Sequence, residues 1–290
     1  MPELTDRDRK FQLYFALLAP QYAHLTSNTT YDLLLQAFNG PLRSRLSNPL
    51  TSSDPVTVHD NASGPGTATS ALLAFCQSAD LPVPTVHATD YTEAMIEALQ
   101  REISARGWEG PKVTARVADS QALDFGDDTF DLGIVNFSIA NFDNAEMAMR
   151  ELYRTLKPGV GTAIVANWET FGFATVLNAA MKKVRPSIPG PLPAAGQEFM
   201  QEDVLVKTLV SAGFEKHKIL VYQTEIVVGD AERLAGMRDF MTGPYLGPVA
   251  STLSEEEKKE WPAAVAKSIE EAKAADGGVL CKAWVLAASK

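Results

Sequence analysis

The stretch "VTVHDNASGPGTAT", Val56 to Thr69, is an alternating apolar run that stops at Asp60 and passes into a small-residue turn with two glycines. A helix-like segment, "ATSALLAFCQ", follows. A strand, a tight turn and a helix in this order form the geometry that holds a nucleotide-like ligand at a helix N-terminus.

The pattern repeats toward the C-terminus. "PTVHATD" reads as a strand ending at Asp90, with a helix from Thr92 to Arg106. "KVTARVAD" and "FDLGIVNFSI" are the third and fourth strands; a helix from Asn144 to Leu156 then stops at "KPG" before the strand "GTAIVANW". Strands alternating with helices predict parallel strands joined by right-handed crossovers, an α/β fold. Toward the N-terminus, Thr5 or Asp6 can cap a helix through "DRDRKFQLYFALL" that ends at Ala19-Pro20. A second helix, "TTYDLLLQAF", stops at Gly40, and a polar, Pro-containing segment leads to Val56.

Past Trp168 the rhythm breaks into a short apolar helix, "FGFATVLNAAM", and the Pro/Gly-rich "RPSIPGPLPAAGQEF". A helix "EDVLVKTLVSAGF", a long strand "HKILVYQTEIVV" and a helix "AERLAGMRDFM" come next. The charged helix "SEEEKKEWPAAVAKSIEEAKAA" has Ser254 as N-cap and Glu257 at the capping-box position. The chain closes on the strand "VLCKAWVLAAS".

The net charge of −10, from 26 basic and 36 acidic residues, argues against a nucleic-acid partner. Two cysteines make neither a disulfide framework nor a metal-ligand spacing. No apolar stretch is long enough to span a bilayer, and "MPELTDRDRKFQ" has no signal-peptide core. The expectation is a cytoplasmic protein with no membrane partner.

Two ligand classes compete for the turn. The dinucleotide fingerprint G-x-G-x-x-G needs a third glycine, where Gly64-Pro65-Gly66-Thr67-Ala68-Thr69 has Thr69. Asp60, at the end of the first strand, would repel a pyrophosphate. It suits a ligand with a cationic amino group and no phosphate, such as S-adenosylmethionine (SAM). The small residues Ala62, Gly64 and Gly66 let the backbone approach such a ligand closely. Asp90 can accept from both ribose hydroxyls, and Asp119-Ser120, after the third strand, can face an adenine amino group. These acids lie at the strand edge where open α/β sheets bind ligands.

These segments resemble the class I SAM-dependent methyltransferases. "VHDNASGPGTAT" resembles their first glycine motif, "ATDYTEAM" the segment with the ribose-binding acid, "VADSQALDFGDDTFDLGIVNFSI" the adenine-side motif and fourth strand, and "MRELYRTLKPGVGTAIVANW" the helix, turn and strand beyond it. The likeness is good from about Thr57 to Trp168. "DNASG", with Ala62 where most of the superfamily has Gly, resembles a fungal secondary-metabolism branch that includes the gliotoxin bis-thiomethyltransferase. The resemblance implies a Rossmann-like seven-stranded sheet flanked by helices. It implies an N-terminal helical lid over residues 1–50 and a SAM-binding domain over 51–290, with substrate-cap insertions at about 169–200 and 230–275. SAM is then the cofactor and S-adenosylhomocysteine the product. Asp60, Asn61, Ala62, Gly64 and Gly66 would hold the amino-acid end. Asp90 would hold the ribose with Tyr91 and Met95 beside the adenosine, Asp119 and Ser120 would face the adenine, and Asn136 and Phe137 would floor the pocket near the methyl. Tyr22 matches the aromatic that relatives set against SAM.

Methyl transfer from a sulfonium needs a nucleophile held about 3 Å away, aligned and dry. A base is needed only for a weak, protonated nucleophile. His59 and His87 lie inside strands and read as packing residues, and His217 reads as exposed; His24, between the N-terminal helices, is the candidate base. No metal-ligand set stands out. "NFSIANF" stands where N-methyltransferases of bases and protein amides carry Asn/Asp-Pro-Pro-Tyr/Phe. Phe142, Trp168, Phe171, Phe173, Phe199, Phe240, Met241 and Tyr245 are the acceptor-pocket candidates and suit a small, largely apolar acceptor. Oxygen and sulfur are the leading targets, with nitrogen third. The alternative is a SAM-binding regulatory protein of secondary metabolism without turnover. The oligomeric expectation is a monomer or homodimer.

Overall fold

The computed structural model describes residues 6–50, 55–108, 112–188, 190–192, 196–246, 249 and 251–290. Seven strands form one sheet in the order β3-β2-β1-β4-β5-β7-β6. They are β1 (Thr57–Asn61), β2 (Thr85–Asp90), β3 (Val113–Val117), β4 (Leu132–Asn136), β5 (Thr162–Thr170), β6 (Ile219–Val228) and β7 (Val279–Ser289). β1 to β5 run parallel, while β7 is antiparallel to both β5 and β6. Strand order reverses between β1 and β4, and that switch point is where open α/β sheets leave a crevice.

Both faces of the sheet are covered. On one face Ile134, Ile164, Val285 and Ala287 pack with helices α3 (Thr29–Asn39) and α5 (Thr67–Ser78). On the other, Val135, Val165 and Leu286 pack with α7 (Ala145–Thr155) and α9 (Glu202–Ala212). Adjacent residues on β4 and β5 thus serve opposite cores, as the two-residue strand period demands. A third cluster joins α8 (Gly172–Val184), α10 (Ala231–Thr242) and α11 (Glu255–Asp276). The Ser254–Glu257 capping box at the start of α11 is present as expected. α6 (Glu93–Arg106) follows β2, and α1 (Asp6–Leu18) packs against it; a single turn, α2 (Tyr22–Leu25), leads from α1 to α3. Thr5, one of the two candidate caps for α1, lies outside the described residues.

Two expectations need correction. The polar, Pro-containing segment before β1 holds a helix that its sequence did not announce: Arg43–Leu50 forms α4. Leu42, Leu46 and Leu50, four residues apart, are buried in the core beside it. The fourth strand also ends earlier than "FDLGIVNFSI", because Phe137 turns into the left-handed region at φ 56° and the chain leaves the sheet.

Candidate functional site

A cavity of about 350 Å³ opens at the C-terminal ends of β1 to β4. The β1–α5 turn lines it with Ala62, Ser63, Gly64 and Thr67. The end of β2 and the start of α6 add Asp90, Tyr91, Thr92 and Met95, and the segment after β3 adds Asp119, Ser120 and Gln121. Asn136, Phe137, Ser138, Asn141, Phe142 and Asp143 follow β4. Phe11 and Phe15 of α1, Tyr22 of α2 and Thr30 of α3 complete the wall.

Asp90 organises the polar side. One carboxylate oxygen accepts from the Thr92 backbone N–H at 2.8 Å and the other from the Gly64 N–H at 2.8 Å. The second bond ties the tip of the glycine turn to the neighbouring strand. Burial raises the Asp90 carboxyl above its ordinary range, and the two N–H groups pull the other way. Ala62 holds φ at 56° without being glycine, and its carbonyl accepts from the Ser138 hydroxyl at 3.1 Å. The turns after β1 and β4 are therefore stitched together at the switch point.

Asp60, expected to meet the ligand, instead does structural work behind the turn. Its Oδ2 accepts from the Thr69 N–H at 2.9 Å and the Thr69 hydroxyl at 2.6 Å, which caps the first turn of α5. It is buried and lies outside the cavity lining, and burial pushes its carboxyl up to about 6. Asn61 is likewise buried behind the lining, where its Oδ1 accepts from the Ser120 hydroxyl at 2.8 Å. Gly66 does not touch the cavity either. A Cβ there would stand 2.4 Å from Leu99 Cδ1, so its lack of a side chain serves the approach of α6. The turn predicted from Ala62, Gly64 and Gly66 thus divides: two positions face the cavity and the third serves packing.

Of the expected site residues, Tyr22, Ala62, Gly64, Asp90, Tyr91, Met95, Asp119, Ser120, Asn136, Phe137 and Phe142 are brought together in the cavity lining. His24 is not. Its Nε2 lies 3.1 Å from Asp239 Oδ2 on α10, and the pair is exposed. His59 is fully buried, stacked on Phe130 and bonded to the Thr89 hydroxyl at 2.9 Å. His87 meets Thr114, and His217 is 74 % exposed. Among the described residues no group of three His, Cys, Asp or Glu side chains could hold a metal ion. No helix among them is long and apolar enough to cross a membrane.

Trp168, Phe171, Phe173, Phe240 and Tyr245 do not line the cavity but continue from it. Ring centroids run Phe137–Trp168 at 4.3 Å, Trp168–Phe171 at 4.8 Å and Phe171–Phe173 at 5.2 Å. The row goes on through Phe173–Phe240 at 5.7 Å to Phe240–Tyr245 at 6.1 Å. Phe199 and Met241 lie outside the lining too, Phe199 giving its carbonyl to Asn167 at 2.7 Å and Met241 its carbonyl to Trp261 at 2.8 Å. Sequence reasoning missed Phe11 and Phe15, one helical turn apart on α1, and the polar lining residues Thr30, Thr67, Thr92, Gln121, Ser138, Asn141 and Asp143. The i, i+4 spacing of the two rings was the available signal. Gln121 gave none, since it joins the site by accepting from the Asn144 N–H at 2.7 Å.

Tyr22 is held protonated, its hydroxyl pushed up to about 12 by burial and then by the nearby Asp90 charge. The cavity thus presents carboxylates, hydroxyls, amides and backbone groups along the ends of β1 to β4, with the rings of Phe11, Phe15, Tyr22, Phe137 and Phe142 among them. Its volume lies at the low end for small-molecule sites. That mixture fits SAM, an amino acid and an adenosine joined at the sulfonium that carries the reactive methyl.

Comparison with known proteins agrees. Residues 58–159 match the family model described as "Methyltransferase domain". The ubiquinone/menaquinone biosynthesis C-methyltransferase UbiE of Geotalea daltonii is 24% identical over 227 residues, covering 74% of this chain and 92% of that protein. The methyltransferase tpcH of Aspergillus fumigatus is 27% identical over 162 residues, covering 56% of this chain and 53% of that protein. A solved phosphoethanolamine N-methyltransferase 2 of Haemonchus contortus, in complex with phosphomonomethylethanolamine and S-adenosylhomocysteine, superposes with a TM-score of 0.50 at 14% identity. It covers 95% of this chain and 60% of that one, and the likeness speaks for the fold alone. The domain match over residues 58–159, the sheet order and the cavity lining agree on a SAM-dependent methyltransferase with SAM as its cofactor.

Proposed function

We propose that the protein transfers the methyl group of SAM to a small, largely apolar, aromatic acceptor in secondary metabolism, at oxygen, sulfur or an activated carbon. The observation that carries this reading is the aromatic row that starts at the cavity-lining Phe137 and runs to Tyr245. A planar acceptor beside the SAM methyl would meet the cavity-facing rings of Phe137 and Phe142, with the row packed behind Phe137. The resemblance of "DNASG" to the fungal branch supports the secondary-metabolism assignment, and tpcH, a methyltransferase of Aspergillus fumigatus, is a relative of fungal source. The UbiE relative is named as a C-methyltransferase, so an activated ring carbon joins oxygen and sulfur as a target. Nitrogen stays behind them.

Bound SAM supplies an electrophilic methyl on a sulfonium. In this reading Asp90 accepts from the ribose hydroxyls, Asp119 and Ser120 face the adenine, and the Ala62–Gly64 backbone approaches the amino-acid end. Asp60 and Gly66 act one step removed, by fixing α5 and α6 behind that turn. Asn136 and Phe137 form the floor. Residues 1–50 act as a lid, with Phe11, Phe15 and Tyr22 excluding water, and 169–200 and 230–275 act as the acceptor cap. His24 is tied to Asp239 outside the cavity wall. The reading therefore favours an acceptor that ionises close to neutrality by itself, such as a thiol or an acidic phenol.

Labelled SAM offered with panels of aromatic thiols, phenols, quinols and amines tests the proposal. Label in an apolar aromatic thiol, phenol or quinol supports it. Label confined to amines or to macromolecules overturns it.

A further inference from the structure

α10 contributes nothing to the cavity wall among the described lining residues, yet one of its faces grips the segment that carries Tyr22. Ser27 and Asn28, which join α2 to α3, both hold φ at 53°, a conformation that side chains resist. Ser27 is buried, and its hydroxyl donates to the Arg233 carbonyl at 2.7 Å. Arg233 returns the contact: its Nε donates to the Ser27 carbonyl at 2.8 Å, and its Nη2 lies 2.7 Å from Asp32 Oδ2 on α3. One turn further on, Gly236 lies against the His24 backbone so closely that a Cβ would stand 2.0 Å from the His24 carbonyl oxygen. A turn beyond that, Phe240 packs against the buried cluster of Leu18, Ala19, Leu25, Met95 and Ala98, against which Phe15 and Tyr22 also pack. Arg233, Gly236 and Phe240 occupy one helical face at i, i+3 and i+7. Tyr22 leaves that grip to line the cavity, close enough to Asp90 to feel its charge.

We propose that Arg233 and Gly236 are positioning residues that hold Tyr22 over the Asp90 end of the cavity, so that SAM affinity depends on a helix that does not touch the cofactor. This rests on the assignment of the cavity to SAM. α10 also carries Phe240 of the aromatic row, so the latch joins the acceptor side to the cofactor side through one rigid element.

Calorimetric titration of the full-length protein with SAM tests it. Gly236→Ala is the informative variant, because alanine favours the helix interior while its methyl pushes the His24 backbone away. Gly236→Ala and Arg233→Ala are each expected to weaken SAM binding about tenfold. In a Tyr22→Ala background neither is expected to change affinity by more than about twofold, since their effect runs through Tyr22. Lys218→Ala breaks the 2.7 Å pair with Glu215, away from the latch and the cavity, and is expected to leave SAM affinity unchanged. Wild-type affinity in whichever latch variant is folded by circular dichroism overturns the proposal. So does a loss that persists undiminished without Tyr22, or an equal loss in Lys218→Ala. Wild-type protein that fails to bind SAM removes the assignment of the cavity and the proposal with it, whereas wild-type binding with unaffected variants removes the proposal alone.

Discussion

The Asp90 carboxylate accepts a 2.8 Å hydrogen bond from the Gly64 backbone N–H, so the acid that closes β2 also holds the tip of the turn that closes β1. Two strands are thereby joined at the point where the ligand's ribose and amino-acid ends would meet. Removing the acid would cost both an acceptor and the shape of the turn. Asp90→Ala is expected to weaken SAM binding by about 100-fold, as two charge-assisted hydrogen bonds imply. Isothermal titration with SAM checks this, and unchanged affinity would take Asp90 out of the site.

Gly66 combines φ of 89° with a packing gap that a methyl group would overfill against Leu99. Gly66→Ala is expected to destabilise the fold by about 2 kcal/mol or more through backbone strain and overpacking. Urea denaturation reads the loss directly. A variant as stable as the wild type would mean that α6 can shift away at little cost.

His59 and Asp60, adjacent on β1, pull stability in opposite directions with pH. Burial lowers His59 from 6.5 to about 3, so below 6.5 the unfolded chain takes up a proton that the folded chain refuses. Its contribution is lost as pH falls through that window. Burial raises Asp60 from 3.8 to about 6, so between those values the folded chain binds the extra proton and gains stability as pH falls. His59→Gln keeps a donor within reach of Thr89 and removes the first effect. Relative to wild type, the variant is expected to gain about 1.4 kcal/mol per pH unit on acidification from pH 6 to pH 4. Denaturation curves at several pH values that stay parallel for the two proteins would refute it.

Trp168 lies tilted against Phe137, ring centroids 4.3 Å apart, from outside the cavity wall. Trp168→Ala is expected to leave SAM affinity within about twofold and to raise the acceptor KM by about tenfold, since the ring would contribute to acceptor contact alone. Initial rates with any acceptor found in the labelled-SAM screen, beside a SAM titration, separate the two. An equal loss on both sides would place Trp168 in support of the floor instead.

Much of the fold was legible in local patterns. The alternating strands, the helices between them, the turn at Ala62–Gly66 and the acid closing β2 lie within short windows, where side-chain period and turn chemistry decide the backbone. The helix α4 was obscured because its polar residues dominate the segment, while its leucines declare themselves only against the core. Cavity residues that belong to these windows, such as Asp90, Asp119 and Phe137, were found for the same reason.

The order of elements, and with it the edge at which the cavity opens, follows from local patterns in the chain, since parallel strands with right-handed crossovers place their C-terminal ends together. Which polar side chains face that cavity was settled by packing in three dimensions. Asp60 and Asp90 both close parallel strands, yet Thr69 draws Asp60 onto α5 while Asp90 remains in the wall. Packing also decided the meeting of partners far apart in the chain, such as His24 with Asp239 and Ser27 with Arg233. Such contacts depend on how packed helices settle against one another, and no local period in the chain encodes that.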